Sequence, residues 1–467
     1  MKVSALKNQE QILKGSLWKA VLALAVPVII NSFLQTMYNL TDTYWLGKLG
    51  TAQLAAINLV SPVQNIIVNF GSGITVAGSV LIAQYIGAGE KENGRGMANQ
   101  IFVCAMIFSV FCAAVCFLFT PGIVRWLGAD GETYTHAVTY LRFVIWDMPF
   151  LYMVNIFSAV HQSQGDTVSP MLLNLGGISL NIILDPLLIV YFHIGVAGAA
   201  LATLLAKTVP AVAAFFLLSR KDNVIGLDKK YMKLEKEKLK LILRIGLPTA
   251  IGGSTMQLGF LLMSRNVFVY GSQAMAAYGI GNKVNSLITL PTNGIGSAVA
   301  TIVGQNIGAR QQDRAEKSYK ISMGISVVFL FTGGMILSRS AISTAIVSIF
   351  SEDENVISMA ADFLSIMAFW CFTNGVYNST VGLFNGTGHT EVTMAVDAAR
   401  LWVFRFLTLW FCESVLGMGV RSVWYSVVVS NGISAAILFI LYLTGIWKKA
   451  KIKVGAEGHK EGKSASN

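Results

Sequence analysis

Runs of apolar residues recur along this chain about every 35–40 residues, each close to the roughly 20 helical residues that a hydrocarbon core requires. No other feature restricts the possible folds as strongly. Backbone polar groups in lipid must be satisfied within the spanning element, so the runs are helices or the strands of a closed barrel. The period-2 alternation of barrel strands is absent, which leaves helices. With 54% hydrophobic and 13% charged residues among 467, the chain also lacks the polar surface that a water-soluble globule of this size needs. The expected class is an all-α, polytopic membrane protein of twelve spans, near 17–40, 52–86, 96–121, 133–160, 168–192, 195–219, 240–270, 274–307, 317–346, 355–384, 390–412 and 419–446. The first run starts near Leu17 and passes Pro27 without a small-residue cleavage site, so it reads as a span and not as a removable signal.

The formal net charge of +11 does not point to nucleic acid, because the basic residues occupy loops at alternate helix ends. Lys2, Lys7 and Lys14, Lys91 and Arg95, the cluster from Arg220 to Lys238, Arg310, Arg314 and Lys317, and Lys448 to Lys453 fall on one side of the membrane. The opposite side carries GKLG at 47–50, LGADGET at 127–133 and the acidic SEDEN at 351–355. The positive-inside rule then places both termini in the cytoplasm of a multi-pass cell-membrane protein. Cys104, Cys112, Cys116, Cys371 and Cys412 lie in apolar segments without metal-ligand spacing and read as packing residues.

The chain repeats itself. An offset of 221 residues superimposes Pro27 on Pro248, Ala55-Ala56 on Ala276-Ala277, Gly73-Ile74 on Gly294-Ile295, and Gln84, Ile86, Gly87 and Ala88 on Gln305, Ile307, Gly308 and Ala309. Six spans per half with equivalent loops on one side make this a parallel repeat. The expected organisation is an N-terminal lobe at 1–219, a polar cytoplasmic linker at 220–239, a C-terminal lobe at 240–447 and a basic cytoplasmic tail at 448–467.

Polar groups inside the hydrocarbon zone are costly and face a cavity or a partner. Span 1 carries Asn31, Gln35, Tyr38, Asn39 and Asp42 on one helical face, and span 5 carries Asn174, Asn181 and Asp185 in the same rhythm. Span 4 adds Asn155 and span 6 adds Thr203, so the economical expectation is a polar chamber within the N-terminal half. A carboxyl pair among amides and hydroxyls suits proton exchange, and its oxygens suit Na⁺, a hard cation. The plainer alternative makes Asp42 and Asp185 interfacial residues at helix ends. In the C-terminal half, Asp397 and Arg400 read as a structural ion pair, with Arg405 one turn beyond, while Lys283 either packs or lines a cleft. Pro27 is either a hinge or a static kink.

NLTDTYWLGKLG at 39–50, LIAQYIGAG at 81–89 with its echo TIVGQNIGA at 301–309, QGDTVSPM at 164–171, NIILDPL at 181–187 and GVAGAALAT at 195–203 together resemble the multidrug and toxic compound extrusion (MATE) transporters, in particular their DinF-like branch. The resemblance covers nearly the whole chain. It implies two six-helix lobes around a cleft of alternating access, and antiport of amphipathic, often cationic compounds against H⁺ or Na⁺. It also implies that Asp42, Asp185, Asn181, Asn155 and Thr203 couple the cation, that Na⁺, if used, sits at Asp42, Asn181, Asp185 and Thr203, and that Pro27 is the hinge. Gln35, Tyr38, Asn39, Asn174 and Lys283 are the expected lining residues. Span 7 has Gln257 where the NorM-like branch has an acid, and span 10 has Asn374 and Asn378, which argues against a C-lobe cation site of that kind.

The expected protein is therefore a monomeric efflux antiporter in contact with membrane lipid, with no cofactor, no nucleic-acid partner and no enzymatic activity. No H-E-x-x-H or G-x-S-x-G occurs, and the five histidines are scattered. The competing expectation is a flippase for a lipid-linked saccharide, for which Lys283, Arg400 and Arg405 would hold the pyrophosphate.

Overall fold

A computed structural model describes residues 2–47, 51–220, 223–449 and 451. Lys48 and the tail beyond Lys451 lie outside the described residues. Every regular element among the described residues is helical. In chain order the helices are α1 (Lys2–Lys14), α2 (Leu17–Gly47), α3 (Thr51–Gly87), α4 (Lys91–Trp126), α5 (Gly131–Val144), α6 (Met148–Ser163), α7 (Val168–Pro186), α8 (Val196–Leu218), α9 (Lys236–Phe268), α10 (Ser272–Gly308), α11 (Gln312–Leu337), α12 (Ser340–Val347), α13 (Glu354–Trp370), α14 (Phe372–Thr387), α15 (Thr390–Ala398), α16 (Phe406–Trp410) and α17 (Arg421–Leu443).

Ten helical segments of the described chain are long and apolar enough to cross a membrane, and α13 with α14, bent by 53°, makes an eleventh. The protein is a multi-pass membrane protein. The count of twelve holds only approximately, for local reasons. Span 4, at Gly131–Ser163, is among the ten although a 3-10 turn at Ile145–Asp147 interrupts it; the span not counted is span 11. Span 11 is wound alternately, with π-helical stretches at Ala399–Arg405 and Phe411–Val415 flanking α16. Prolines sit inside continuous helices, two of them directly after a hydroxyl residue that bonds back to its own helix. Ser61 and Thr120, each immediately ahead of a proline, donate to the carbonyls of Ile57 (2.7 Å) and Cys116 (2.6 Å).

The chain forms two compact units. The first comprises the chain up to Leu13 with Ile30–Ala250, and the second comprises Lys14–Ile29 with the chain from Ile251 onward. The divisions fall within α2 and α9, two residues beyond Pro27 and Pro248, and so keep the 221-residue offset of the repeat.

Within the first unit, α1 lies on the loops that follow α3 and α6. Asn8 donates to Gly165 O at 3.0 Å and Gln9 to Ile86 O at 2.9 Å, while Ile12 is buried. The polar stretch before α9 is strapped to the start of α4. Asn99 donates to Gly226 O and accepts from Asp228 N, and Gln100 donates to Tyr231 O and accepts from Glu235 N, all at 2.9–3.1 Å. Both amides are fully buried, so they carry the backbone bonds that this irregular segment cannot make itself.

Equivalent positions of the repeat are built alike. Gly89 and Arg310 end α3 and α10 with φ of 79° and 59°. In each, the residue's own N–H bonds three residues back (Ile86 O, 3.1 Å; Ile307 O, 3.0 Å) and the next N–H bonds five back (Tyr85 O, 2.9 Å; Asn306 O, 2.8 Å). The interior crossings match as well. In the first unit a Cβ on Gly73 of α3 would stand 2.3 Å from Gly246 O of α9. In the second unit, one on Gly294 of α10 would stand 2.6 Å from the Ile29 side chain and 3.3 Å from Ala25 O of α2. Small residues let helices approach this closely.

Candidate functional site

The polar stripes of α2 and α7 meet inside the first unit. α7 sets Asn181 and Asp185 one turn apart, both fully buried, and Asn181 Nδ2 donates to Asp185 Oδ1 at 3.3 Å. The helix then reaches Pro186 and passes into a π-helical stretch, Leu187–Tyr191. π-Turns of this kind are frequent at functional sites. Asp42 of α2 is partly buried, and its charge reaches Asp185. Tyr38, one turn earlier on α2, lies beside Thr203 of α8 and near both acids. Asp42, Tyr38, Asn181, Asp185 and Thr203 are thus brought together.

A cavity lies alongside, lined by Gln35 and Tyr38 of α2, Leu151 and Val154 of α6, Asn174, Gly177 and Ile178 of α7, and Ala206, Lys207 and Pro210 of α8. Asn155 is partly buried beside Val154 on α6. Asn39 is exposed and accepts a long hydrogen bond from Gln35 at 3.5 Å. Lys283 is exposed on α10 in the second unit and is not part of this cavity. Pro27 is buried in the stretch of α2 that belongs to the second unit.

Two charged residues that the polar stripes do not reveal complete the site. Asp147, in the 3-10 turn between α5 and α6, is fully buried; its Oδ2 accepts from the Lys207 ammonium and from Gln64 Nε2 at 3.4 Å. Lys207 follows Thr203 by one turn on α8, and its charge also reaches Asp42. The rule that singles out Asp42, an acid within a span, applies equally to Asp147 in the middle of span 4.

The site therefore holds three carboxylates and one ammonium. Asp147 Oδ1, Asp185 Oδ2 and the Asn181 side-chain oxygen are buried with no hydrogen-bond donor among the described residues. Buried oxygens left without donors are rare in proteins, since desolvation without a partner is costly. Acceptor oxygens of this type fit a proton shared between them or a hard monovalent cation.

A profile of the family described as MatE matches residues 27–187 and again 248–411, so the two matches begin at Pro27 and Pro248. The chain is 25% identical over 457 residues to the probable multidrug resistance protein YoeA of Bacillus subtilis, covering 94% of this chain and 96% of that protein. It is 24% identical over 431 residues to the multidrug export protein MepA of Staphylococcus haemolyticus, covering 92% and 94%. Among solved structures, one described as an outward-facing conformation of a multidrug resistance MATE family transporter of the MOP superfamily superimposes with a TM-score of 0.88 at 25% identity, covering 94% of this chain and 98% of that one.

Proposed function

The chain belongs to the MatE family of transporters, and from that premise we propose that it exports amphipathic, often cationic small molecules across the cytoplasmic membrane in exchange for H⁺ or Na⁺. It works as a monomer, and the distribution of lysine and arginine favours both termini in the cytoplasm. The observation that carries the coupling is the set of three buried, donorless oxygens on Asp147, Asp185 and Asn181 beside the cavity that Gln35, Tyr38 and Asn174 line. A cation entering from outside neutralises part of this acidic group and binds one conformation better than the other. The exported compound prefers the opposite conformation. That difference in preference is what transport requires, because a ligand that binds both states equally shifts nothing. Pro27 removes one backbone hydrogen bond in α2 and supplies the bend through which a change at Asp42 reaches the rest of that helix.

The test is ethidium export from proteoliposomes, measured under an imposed pH gradient and, separately, under a Na⁺ gradient. Export driven by at least one gradient is expected. Export indifferent to both would overturn the coupling, and no export of any cationic dye would overturn the substrate class.

A further inference from the structure

The second unit buries two arginines that cation exchange in the first unit does not use. Arg400 and Arg405 are 7% and 4% exposed, and the only carboxylate ion-paired to either among the described residues is Asp397. Asp397 Oδ1 is already shared, accepting from the Tyr377 hydroxyl and from Arg400 Nη2 at 3.2 Å. Arg400 stacks over the Tyr377 ring at 4.5 Å, and its Nε is buried without a partner. Arg405 donates Nε to Ser430 Oγ and Nη2 to Asn431 Oδ1, both at 3.1 Å and both neutral. Two cations thus face one anion in the interior, and an uncompensated charge there is costly.

The backbone is wound so that the two arginines turn toward one face. In an α-helix, residues five apart point roughly 140° away from each other. Ala399–Arg405 is instead π-helical, and i→i+5 winding brings residues five apart near one face. The two guanidiniums lie within electrostatic reach of each other, which an ordinary α-helical turn would have relieved. Ser430 and Asn431 occupy the Nε/Nη2 edge of Arg405 and leave its Nη1 without a hydrogen bond among the described residues, so Nη1 and the second Nη2 hydrogen remain to donate to a carboxylate or phosphate.

We infer that Arg405 and Arg400 form an oxyanion site that takes a carboxylate or phosphate group. Its chemistry is the same whether the group belongs to a lipid head or to a soluble anion. It is independent of the coupling at Asp42 and Asp185, and it is read by binding without transport.

Purified full-length protein in detergent is melted in chloride buffer at constant ionic strength, with inorganic phosphate, acetate or dioleoyl phosphatidic acid added in increasing amounts. At least one of the three should raise the melting temperature saturably, as selective binding to the folded state requires. A response to phosphatidic acid alone identifies a lipid headgroup, and a response to phosphate or acetate identifies a soluble anion. Arg405→Met should abolish the response and, without added anion, melt no lower than the native protein, because it removes a charge that lacks a counterion. Arg405→Lys keeps the charge without the fork and should weaken apparent affinity about tenfold, which provides a folded variant if the methionine variant does not accumulate. Melting of the native protein indifferent to all three anions, or a response that Arg405→Lys leaves unchanged, would overturn the inference.

Discussion

The Lys207 ammonium is hydrogen-bonded to Oδ2 of Asp147, tying α8 to the turn that joins α5 and α6. Asp147 has no exposed side-chain surface, and Lys207 retains 24%, where it borders the cavity. Removing one member of a buried pair strands the other charge, whereas removing both does not. Lys207→Met should therefore destabilise the protein by about 3 kcal/mol, and the double variant Asp147→Asn/Lys207→Met should recover most of that loss. Unfolding of the purified variants tests this, and strictly additive losses would show that the two residues do not act as a pair.

Asp185 and Asn181 hold each other at 3.3 Å, with one oxygen of each left bare. Asp185→Asn keeps the shape of the side chain and removes its capacity to take up a cation, and Asp42→Asn does the same from α2. Both variants should insert normally and lose gradient-driven dye export by about tenfold or more, as expected when an intramembrane carboxylate of the coupling path is neutralised. Asn181→Ala should fall between them and the native protein. Full export by both aspartate variants would remove these acids from the coupling mechanism.

Much of this site is readable along the chain because a helix converts spacing into adjacency. Asn181 and Asp185, four apart, had to share a face, and so did Tyr38 and Asp42. What spacing does not convey is pairing between helices. Asp147 and Lys207 sit 60 residues apart, and only packing of α8 against the interrupted span 4 makes them partners. Lys283 illustrates the converse. It looks anomalous within an apolar span, yet whether it faces a cavity depends on tertiary arrangement that periodicity does not encode. The interruptions of spans 4 and 11 escaped for a different reason, since hydropathy measures how apolar a window is and is blind to 3-10 or π winding inside it. The repeat was legible because it rests on identities at a constant offset, and backbone geometry at Gly89 and Arg310 follows the same offset.

The crossing of α3 and α9 depends on the absence of a side chain at Gly73 and Gly246, where added Cβ atoms would stand 2.3 and 2.7 Å from the opposite glycine's carbonyl oxygen. Those atoms are backbone and cannot swing aside, so the helices themselves must separate. Gly73→Val should cost about 1–3 kcal/mol of stability, the usual range for overpacking, and Gly294→Val at the equivalent position of the second unit should cost less because an Ile29 side-chain atom is the nearest neighbour. Melting temperatures of the two variants, measured side by side in one detergent, check both the loss and its order.

Gly89 and Arg310 occupy the same left-handed backbone position at the ends of α3 and α10, and only one of them is glycine. For an L-residue with a side chain, that conformation costs roughly 1–2 kcal/mol. Glycine escapes this cost but loses about 0.5–1 kcal/mol through its greater freedom in the unfolded chain. The balance favours glycine by about 0.5 kcal/mol or slightly more. Arg310→Gly should therefore raise the melting temperature, provided the arginine side chain adds nothing further to the fold. Gly89→Ala should lower it, although a Cβ there would meet no atom within 4 Å, so the loss would come from backbone conformation and not from crowding. Opposite shifts of the two variants are the expected result. Equal stabilisation of both would mean that unfolded-state entropy outweighs left-handed strain at this turn.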